Sequence, residues 1–186
     1  MLRHLPNAIC VLRIVLTIPT VLAIDRGDEV LALVLFTIAA ISDGVDGYLA
    51  KRNGWASDLG RILDPIADKI LLVATFLACT WQGLIPVWLA AAAVARDLML
   101  GGGALIYRLW FGRIEGNPST LSKVNTMLQI IVVIVAMLNA ALSLIPEILA
   151  LILAVVTFVT TVLSGIDYAR RSFVRAWAHL PAPRSS

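Results

Sequence analysis

Residues 43–68 read DGVDGYLAKRNGWASDLGRILDPIAD, a polar stretch in a chain that is 60% hydrophobic. Four of its carboxylates, Asp43, Asp46, Asp64 and Asp68, fall in segments that are otherwise apolar enough for membrane helices. Each carboxylate costs roughly 2.5–3.5 kcal/mol at the centre of a bilayer, and four together repel one another. This cost predicts that one or two divalent cations bind among them.

The spacing of these residues predicts one shared site. A first helical stripe, at positions i, i+3, i+4 and i+7, contains Asp43, Asp46, Gly47 and Ala50. A second stripe, at intervals of four, contains Gly60, Asp64 and Asp68. The polar turn at 52–58 joins the two helices, so the stripes are predicted to face each other across an antiparallel pair. Oxygen ligands without a nearby His or Cys suit Mg²⁺ or Mn²⁺ rather than zinc.

Hydropathy predicts an all-α integral membrane protein: one domain over residues 1–186, folded as a bundle of six transmembrane helices. The mean hydropathy is +0.90. Segments of spanning length are predicted at Asn7–Ile24, Val30–Ala50, Gly60–Thr80, Leu84–Leu109, Leu121–Ser143 and Glu147–Tyr168. The tail at 170–186 is basic and is expected at the cytoplasmic surface.

The distribution of basic residues predicts the orientation. They cluster at both ends of the chain and in the second and fourth loops: Arg3, Lys51, Arg52, Arg61, Arg108, Arg113, Lys123, Arg170, Arg171, Arg175 and Arg184. Both termini and the aspartate site are therefore predicted on the cytoplasmic side. The net charge of +3 suits anionic lipid headgroups, and no nucleic-acid partner is expected. No Arg/Ser-rich presequence is visible, which favours a bacterial plasma membrane.

The aspartate run resembles the signature of the CDP-alcohol phosphotransferases, D-x-x-D-G-x-x-A-R-(x8)-G-x-x-x-D-x-x-x-D. Every position matches except Lys51, which stands where the family has arginine and is followed by Arg52. Lysine keeps the charge but lacks the planar fork that binds phosphate through two hydrogen bonds. The resemblance extends from Pro6 to the stretch at 122–126.

The resemblance implies transfer of a phosphatidyl group from CDP-diacylglycerol to an alcohol, with release of CMP. It also implies two divalent cations, and a homodimer is expected. Asp43, Asp46 and Asp64 become metal ligands, and Asp68 becomes the general base that also touches a metal. The implied binding residues for the CDP group are Asp43, Gly47, Ala50, Lys51 and Gly60.

The acceptor alcohol is predicted from a second resemblance. The Ala95-Arg96-Asp97 run and residues 121–129 look like the eukaryotic-type cardiolipin synthases, which use phosphatidylglycerol. Phosphatidylglycerol-phosphate synthases tend to carry A-R-E and a further arginine where this chain has Ala104. Phosphatidylglycerol is therefore the favoured acceptor and glycerol-3-phosphate the alternative, with inositol or serine remaining.

Arg96 and Lys123 are the candidate contacts for the acceptor phosphate. The alternatives are that Arg96 belongs to a buried ion pair that fixes helix packing, and that Lys123 only reaches the bilayer surface. Since adjacent residues point about 100° apart on a helix, Arg96 and Asp97 are expected to bond to neighbouring helices rather than to each other. Gly101–Gly103 are expected to form a close helix contact rather than a break.

Three further polar residues, Ser119, Asn7 and Arg13, are interpreted from their positions along the chain. Ser119 is expected to cap a helix, and Asn7 and Arg13, six residues apart, are not assigned to one site.

Two function classes other than phosphatidyl transfer are the alternatives. An intramembrane prenyltransferase also binds diphosphate through aspartates, although these aspartates usually lie on non-adjacent helices. A cation transporter would need charged residues continuing into the outer half of the bundle, and none is evident beyond 96–97.

Overall fold

The computed structural model describes the backbone of residues 5–53, 60–111 and 119–178, and the side chains of residues 10–42, 66–103 and 119–172. Within these ranges the chain forms six α-helices and no β-strand. They are α1 Leu5–Asp25, α2 Glu29–Asn53, α3 Gly60–Trp81, α4 Val87–Phe111, α5 Thr120–Leu142 and α6 Glu147–Ala178. The all-helical fold is confirmed, and each predicted segment corresponds to one helix.

Among the helix boundaries that differ from the prediction, two differ for clear local reasons. Helix α4 begins at Val87 rather than Leu84, because Pro86 precedes it and accepts the first hydrogen bonds of the helix, from Leu89 N (3.1 Å) and Ala90 N (3.2 Å). Helix α6 continues to Ala178, ten residues beyond the apolar segment that ended at Tyr168. Alanine and arginine are good helix formers, so a helix need not end where hydropathy falls.

The turns at Gly27 and Gly83 lie at the same end of the bundle. Both glycines have positive φ, 71° and 74°, which the tight reversal between antiparallel helices requires. The Gln82 side chain donates to the backbone carbonyl of Asp25 (3.0 Å) and so joins the α1–α2 and α3–α4 turns. We call this the turn end. Helix α3 ends here at Trp81, so its first residue, Gly60, lies at the opposite end.

Helix α5 is capped at both ends, by the Ser119 side chain at its start and by the backbone of Ser143 at its end. The Ser119 hydroxyl accepts a hydrogen bond from the backbone N–H of Ser122 (3.2 Å), which confirms the predicted cap. At the other end Ser143 adopts the left-handed conformation with φ of 50°, and its N–H donates to the Asn139 carbonyl (2.8 Å). The Asn139 side chain then accepts from Ile145 N (2.9 Å). Helix α5 is therefore bounded by polar contacts within an apolar segment.

The helices pack as a ring in which neighbours along the chain are not always neighbours in space. Helix α1 packs against α2 and α3, α2 against α5, α5 against α6, α6 against α4, and α4 against α3. A contact between α3 and α5 crosses the ring. Its apolar core includes Phe36, Leu71, Phe76, Val133 and Met137. On α4 and α6 the rings of Trp88 and Phe158 meet edge to face at 5.3 Å.

Apolar side chains cover the outer surface of the bundle, and polar side chains lie inside it. The exposed residues include Ile18, Ile41, Leu98, Met127 and Ile166. The buried polar residues are Arg13, Thr17, Thr20, Thr75, Arg96, Asn125, Gln129, Thr157, Thr161 and Ser164. Among the described residues, Thr120–Leu142 and Glu147–Ser172 are long and apolar enough to cross a membrane. So many large apolar side chains on the outside are expected of a protein surrounded by lipid.

Gly103 brings α4 close to α6. A Cβ atom at this position would lie 2.7 Å from the Tyr168 hydroxyl, whereas one at Gly101 or Gly102 would meet nothing within 4 Å. The Tyr168 hydroxyl donates to the Leu100 carbonyl (3.1 Å). Helix α4 is unbroken through all three glycines. The predicted close contact is thus confirmed, and Gly103 is the residue that makes it.

Candidate active site

The helical backbones of α2 and α3 contain every position of the aspartate motif. Asp43 and Asp46 lie in the second half of α2, and Asp64 and Asp68 in the first half of α3. The predicted helical stripes therefore rest on continuous helices. Only the helical backbone is described at Asp43, Asp46, Gly47, Ala50, Lys51, Gly60 and Asp64, and the same holds for Asn7 and Ala104.

Asp68 forms an ion pair with Arg13 of α1. The guanidinium NH1 donates to Asp68 Oδ1, a contact between residues 55 positions apart. The Arg13 side chain is 1% exposed and that of Asp68 is 43% exposed. A buried cation thus compensates a carboxylate that remains half open to the surroundings. Asp68 is also the residue that the family resemblance predicts as the general base.

Arg13 was not assigned to this site from the sequence. Its distance from Asn7 argued against a shared role for those two residues, and nothing else connected it to the aspartates. A signal was nevertheless present, because an arginine in an apolar helix needs a partner inside the bundle. The helical order, with α1 packed against both α2 and α3, brings that partner from α3.

Arg96 lies at the centre of a second polar cluster. Its NH1 donates to Asp97 Oδ1 (2.7 Å), and its NH2 donates to the hydroxyls of Ser122 on α5 and Ser164 on α6, the latter at 3.1 Å. The expected bonds to neighbouring helices are confirmed, but the expectation that Arg96 and Asp97 would not also bond to each other is wrong. An arginine side chain is long and flexible enough to bend back toward its neighbour in sequence.

Lys69 completes this cluster from α3. Its Nζ donates to Asp97 Oδ2 at 2.6 Å. Asp97 therefore accepts from a different cation at each oxygen. Sequence reasoning missed Lys69, although its position directly after Asp68 places it at nearly the same depth in the bundle. We call Lys69, Arg96 and Asp97 the α3–α4 charge cluster.

Lys123, the other candidate for the acceptor phosphate, is exposed on the first turn of α5. It follows Ser122, which the Arg96 guanidinium contacts. Lys123 thus directly follows a residue that contacts the α3–α4 charge cluster. The structure does not bring the Lys123 side chain into the hydrogen bonds that hold Arg96 and Asp97 together.

Polar groups continue from this cluster into the interior along α5 and α6. The side-chain oxygen Oδ1 of Asn125 accepts hydrogen bonds from the hydroxyls of Thr160 (3.0 Å) and Thr161 (2.8 Å). Within the described residues the amide nitrogens of Asn125 and Gln129 and the Thr75 hydroxyl have no hydrogen-bond partner. Buried polar atoms normally have partners, so this part of the bundle has spare capacity to bind water or a polar ligand.

A cavity lined by described residues lies away from Asp68. Its volume is about 490 Å³, and it lies between the Gly83–Pro86 turn, α5 and the start of α6. Its lining is mostly apolar, with Asn139 and Glu147 as polar members. Because Gly83 marks the turn end, this cavity is remote from Asp68, eight residues into α3 from the opposite end.

The aspartates suit a hard divalent cation by the chemistry of their donor atoms. All four supply carboxylate oxygens, which Mg²⁺ and Mn²⁺ prefer, and the motif includes no His or Cys. Among the side chains that the structure describes, no group of three His, Cys, Asp or Glu residues comes together. Three of the four aspartates lie outside that set, so the ligand assignment stays a prediction.

Comparisons with known proteins agree on the family. A sequence model described as CDP-alcohol phosphatidyltransferase matches residues 3–163. The chain is 30% identical to the CDP-diacylglycerol--glycerol-3-phosphate 3-phosphatidyltransferase of Bacillus subtilis, over 91% of this chain and 95% of that protein. It is 41% identical to a cardiolipin synthase (CMP-forming) of Streptomyces coelicolor, over 37% of this chain and 32% of that protein. With the human cardiolipin synthase (CMP-forming) the identity is 33%, over 69% of this chain and 48% of that protein. The chain thus spans less than half the length of these two cardiolipin synthases.

Proposed function

The chain belongs to the CDP-alcohol phosphatidyltransferase family, a family of transferases, and from this premise we propose that it transfers a phosphatidyl group from CDP-diacylglycerol to an alcohol. The observation that carries the proposal is the complete four-aspartate motif on α2 and α3, together with the partly exposed Asp68 held by Arg13. The family match favours this reaction over the prenyltransferase and transporter alternatives.

The proposed reaction is a displacement at phosphorus. The acceptor hydroxyl oxygen attacks the phosphorus atom that carries diacylglycerol, the bond from that phosphorus to the CMP oxygen breaks, and CMP leaves. Asp68 takes the proton of the hydroxyl as general base. Gly47, Ala50, Lys51 and Gly60 surround the cytidine and its phosphates, and Asp43 contributes to both the nucleotide and the metal site.

Asp43, Asp46, Asp64 and Asp68 are proposed to hold two divalent cations, Mg²⁺ or Mn²⁺. Bound there, the cations neutralise pyrophosphate charge and stabilise the leaving phosphate. The contribution of Arg13 is separate. It compensates the charge of Asp68 and restricts the orientation of that carboxylate, with one Asp68 oxygen accepting from the guanidinium.

We propose that all six helices span the membrane and that the chain forms one domain with both termini in the cytoplasm. The apolar exterior, the polar interior and the two spanning helices support this arrangement. The basic loops support the orientation. The motif then lies near the cytoplasmic face, where a water-soluble nucleotide group reaches it while acyl chains stay in lipid. A bacterial plasma membrane and a homodimer complete the proposal.

Phosphatidylglycerol is the proposed acceptor, which would make the chain a cardiolipin synthase. The similarity to cardiolipin synthases and the presence of Ala104 where a second arginine would meet a phosphomonoester support this choice. Glycerol-3-phosphate is the alternative acceptor. The relative that matches along nearly its whole length is the Bacillus subtilis glycerol-3-phosphate phosphatidyltransferase.

The test is purified protein in lipid nanodiscs with CDP-diacylglycerol and, separately, phosphatidylglycerol, glycerol-3-phosphate, inositol and serine. CMP release and the lipid product are measured in each reaction. We expect cardiolipin from phosphatidylglycerol and little product from glycerol-3-phosphate. Phosphatidylglycerol-phosphate as the main product would select the alternative acceptor. Absence of CMP release with every acceptor would contradict phosphatidyl transfer itself.

A further inference from the structure

We propose that the α3–α4 charge cluster selects the acceptor by charge, with Lys69 as the residue that contacts the acceptor phosphate and Asp97 as the residue that limits the cluster to one net positive charge. The inference rests on the proposed phosphatidyl transfer. Lys69 and Arg96 each contribute one positive charge and Asp97 one negative charge, so a single positive charge remains. A lipid phosphodiester carries one negative charge, whereas a phosphomonoester carries nearly two near neutral pH.

Hydrogen bonds to residues of α4, α5 and α6 hold Arg96 in the cluster. Arg96 is bound to Ser122 of α5, to Ser164 of α6 and to Asp97 of its own helix. Asp97 then holds Lys69 of α3 at 2.6 Å through its second oxygen. The Arg96 guanidinium therefore binds groups of the protein itself, and each Asp97 oxygen already accepts a hydrogen bond. Charge-assisted contacts of this kind restrict side chains more strongly than neutral hydrogen bonds.

Exposure identifies the member that meets a ligand. The side chain of Lys69 is 44% exposed, that of Asp97 12% and that of Arg96 4%. An ammonium group has three N–H donors, and the structure shows one of them bonded to Asp97. Lys69 can therefore bind a phosphate oxygen without leaving Asp97. Arg96 acts on the ligand through its charge and through the position of Asp97.

The cluster also lies where an acceptor phosphate is needed. Lys69 directly follows Asp68, so their Cα atoms are about 3.8 Å apart. Asp68 contacts α1 and Lys69 contacts α4, so the two side chains leave α3 in different directions at nearly the same depth. A phosphate bound by Lys69 leaves the rest of the acceptor free to bring its hydroxyl toward the carboxylate of Asp68.

The experiment is a competition between phosphatidylglycerol and glycerol-3-phosphate for one pool of CDP-diacylglycerol, using the full chain in nanodiscs. In Asp97→Asn the cluster carries two net positive charges. We expect the ratio of phosphatidylglycerol-phosphate to cardiolipin to rise by on the order of tenfold, because a unit charge in a partly buried site is weakly screened. In Lys69→Gln the cluster carries no net charge. This variant should raise the KM for both acceptors and leave the KM for CDP-diacylglycerol unchanged.

Two variants separate charge from folding. Asp97→Glu keeps the net charge and should keep the wild-type product ratio, and Asp25→Asn removes a distant exposed carboxylate and should also keep it. An Asp97→Asn protein that transfers to both acceptors in the wild-type ratio would overturn the inference and leave the proposed function intact. If Asp97→Asn does not fold, Lys69→Gln decides: unchanged acceptor KM values overturn the inference. A wild-type protein that releases no CMP would instead overturn the proposed function.

Discussion

At the scale of single residues, the site depends on which cation meets which carboxylate. Asp68 meets Arg13, and Asp97 meets both Lys69 and Arg96. The Arg13–Asp68 and Lys69–Asp97 contacts join different helices, whereas Arg96 and Asp97 lie on the same helix. All of these charges would be costly without a partner in an apolar bundle. The consecutive residues Asp68 and Lys69 thus connect α3 to two different helices, and a change at either position affects a different neighbour.

Replacement of Arg13 by glutamine should lower both transfer activity and stability. The variant removes the guanidinium that donates to Asp68, and we expect a loss of about 1.5–3 kcal/mol, the range for hydrogen bonds to charged groups. Arg13→Lys, which keeps the charge, should recover part of the activity. Thermal unfolding in nanodiscs and the KM for CDP-diacylglycerol measure the two effects. Wild-type stability and kinetics in Arg13→Gln would contradict a role for this ion pair.

Asp68→Asn should reduce turnover far more than nucleotide binding. A general base contributes on the order of 10²–10⁴ in rate, while an asparagine can still act as a neutral oxygen ligand. The measurements are kcat for CMP release and the affinity for CDP-diacylglycerol from equilibrium binding. An equal collapse of both quantities would reassign Asp68 to metal binding alone.

At the scale of helices, the contact between α4 and α6 depends on one glycine of three. Gly103→Ala places a Cβ 2.7 Å from the Tyr168 hydroxyl, so the Tyr168 side chain or the two helices must shift. We expect destabilisation by about 1–3 kcal/mol, as for other overpacked positions. Gly102→Ala is the matched control, because its Cβ meets nothing within 4 Å and alanine favours helix.

The same pair allows a rescue. Tyr168→Phe removes the hydroxyl that the new Cβ would meet, so Gly103→Ala combined with Tyr168→Phe should be more stable than Gly103→Ala alone in thermal unfolding. If Gly102→Ala and Gly103→Ala unfold at the same temperature, the close contact does not contribute to packing.

At the scale of the whole molecule, activity should depend on divalent metal. We expect EDTA to abolish CMP release and Mg²⁺ or Mn²⁺ to restore it, since the four carboxylates would otherwise repel one another. Asp43→Asn, Asp46→Asn and Asp64→Asn should each abolish transfer. They should also weaken Mn²⁺ binding measured by electron paramagnetic resonance, a readout independent of activity. Full activity after chelation and dialysis would contradict the metal site.

The orientation of the bundle can be tested by labelling introduced cysteines. Arg26 lies in the turn between α1 and α2, at the turn end, whereas Arg170 lies toward the end of α6. In intact bacterial cells a membrane-impermeant maleimide should label Arg26→Cys from outside and Arg170→Cys only after permeabilisation. The native Cys10 and Cys79 are buried, so the background should be low. The reverse labelling pattern would invert the proposed topology.

Local patterns in the sequence predicted the helices and the positions of the aspartates along them. Hydropathy and the intervals of three and four residues depend only on nearby residues, so the six segments and the motif could be read before any tertiary contact was known. The cap at Ser119 and the close contact at Gly103 followed from equally local signals. The end of α6 was not predicted, because the residues after Tyr168 still favour helix although hydropathy falls there.

The partners of the charged residues were decided only by the tertiary structure. The Arg13–Asp68 pair spans 55 positions and the Lys69–Asp97 pair spans 28. Such pairs depend on the order of helices around the ring and on the rotation of each helix about its axis, which no local interval encodes. Composition and hydropathy alone indicate that charges lie among apolar helices and that these charges need partners. Packing of α1 and α4 on either side of α3 determined which partners they found, because only there do the opposite charges come within hydrogen-bonding distance.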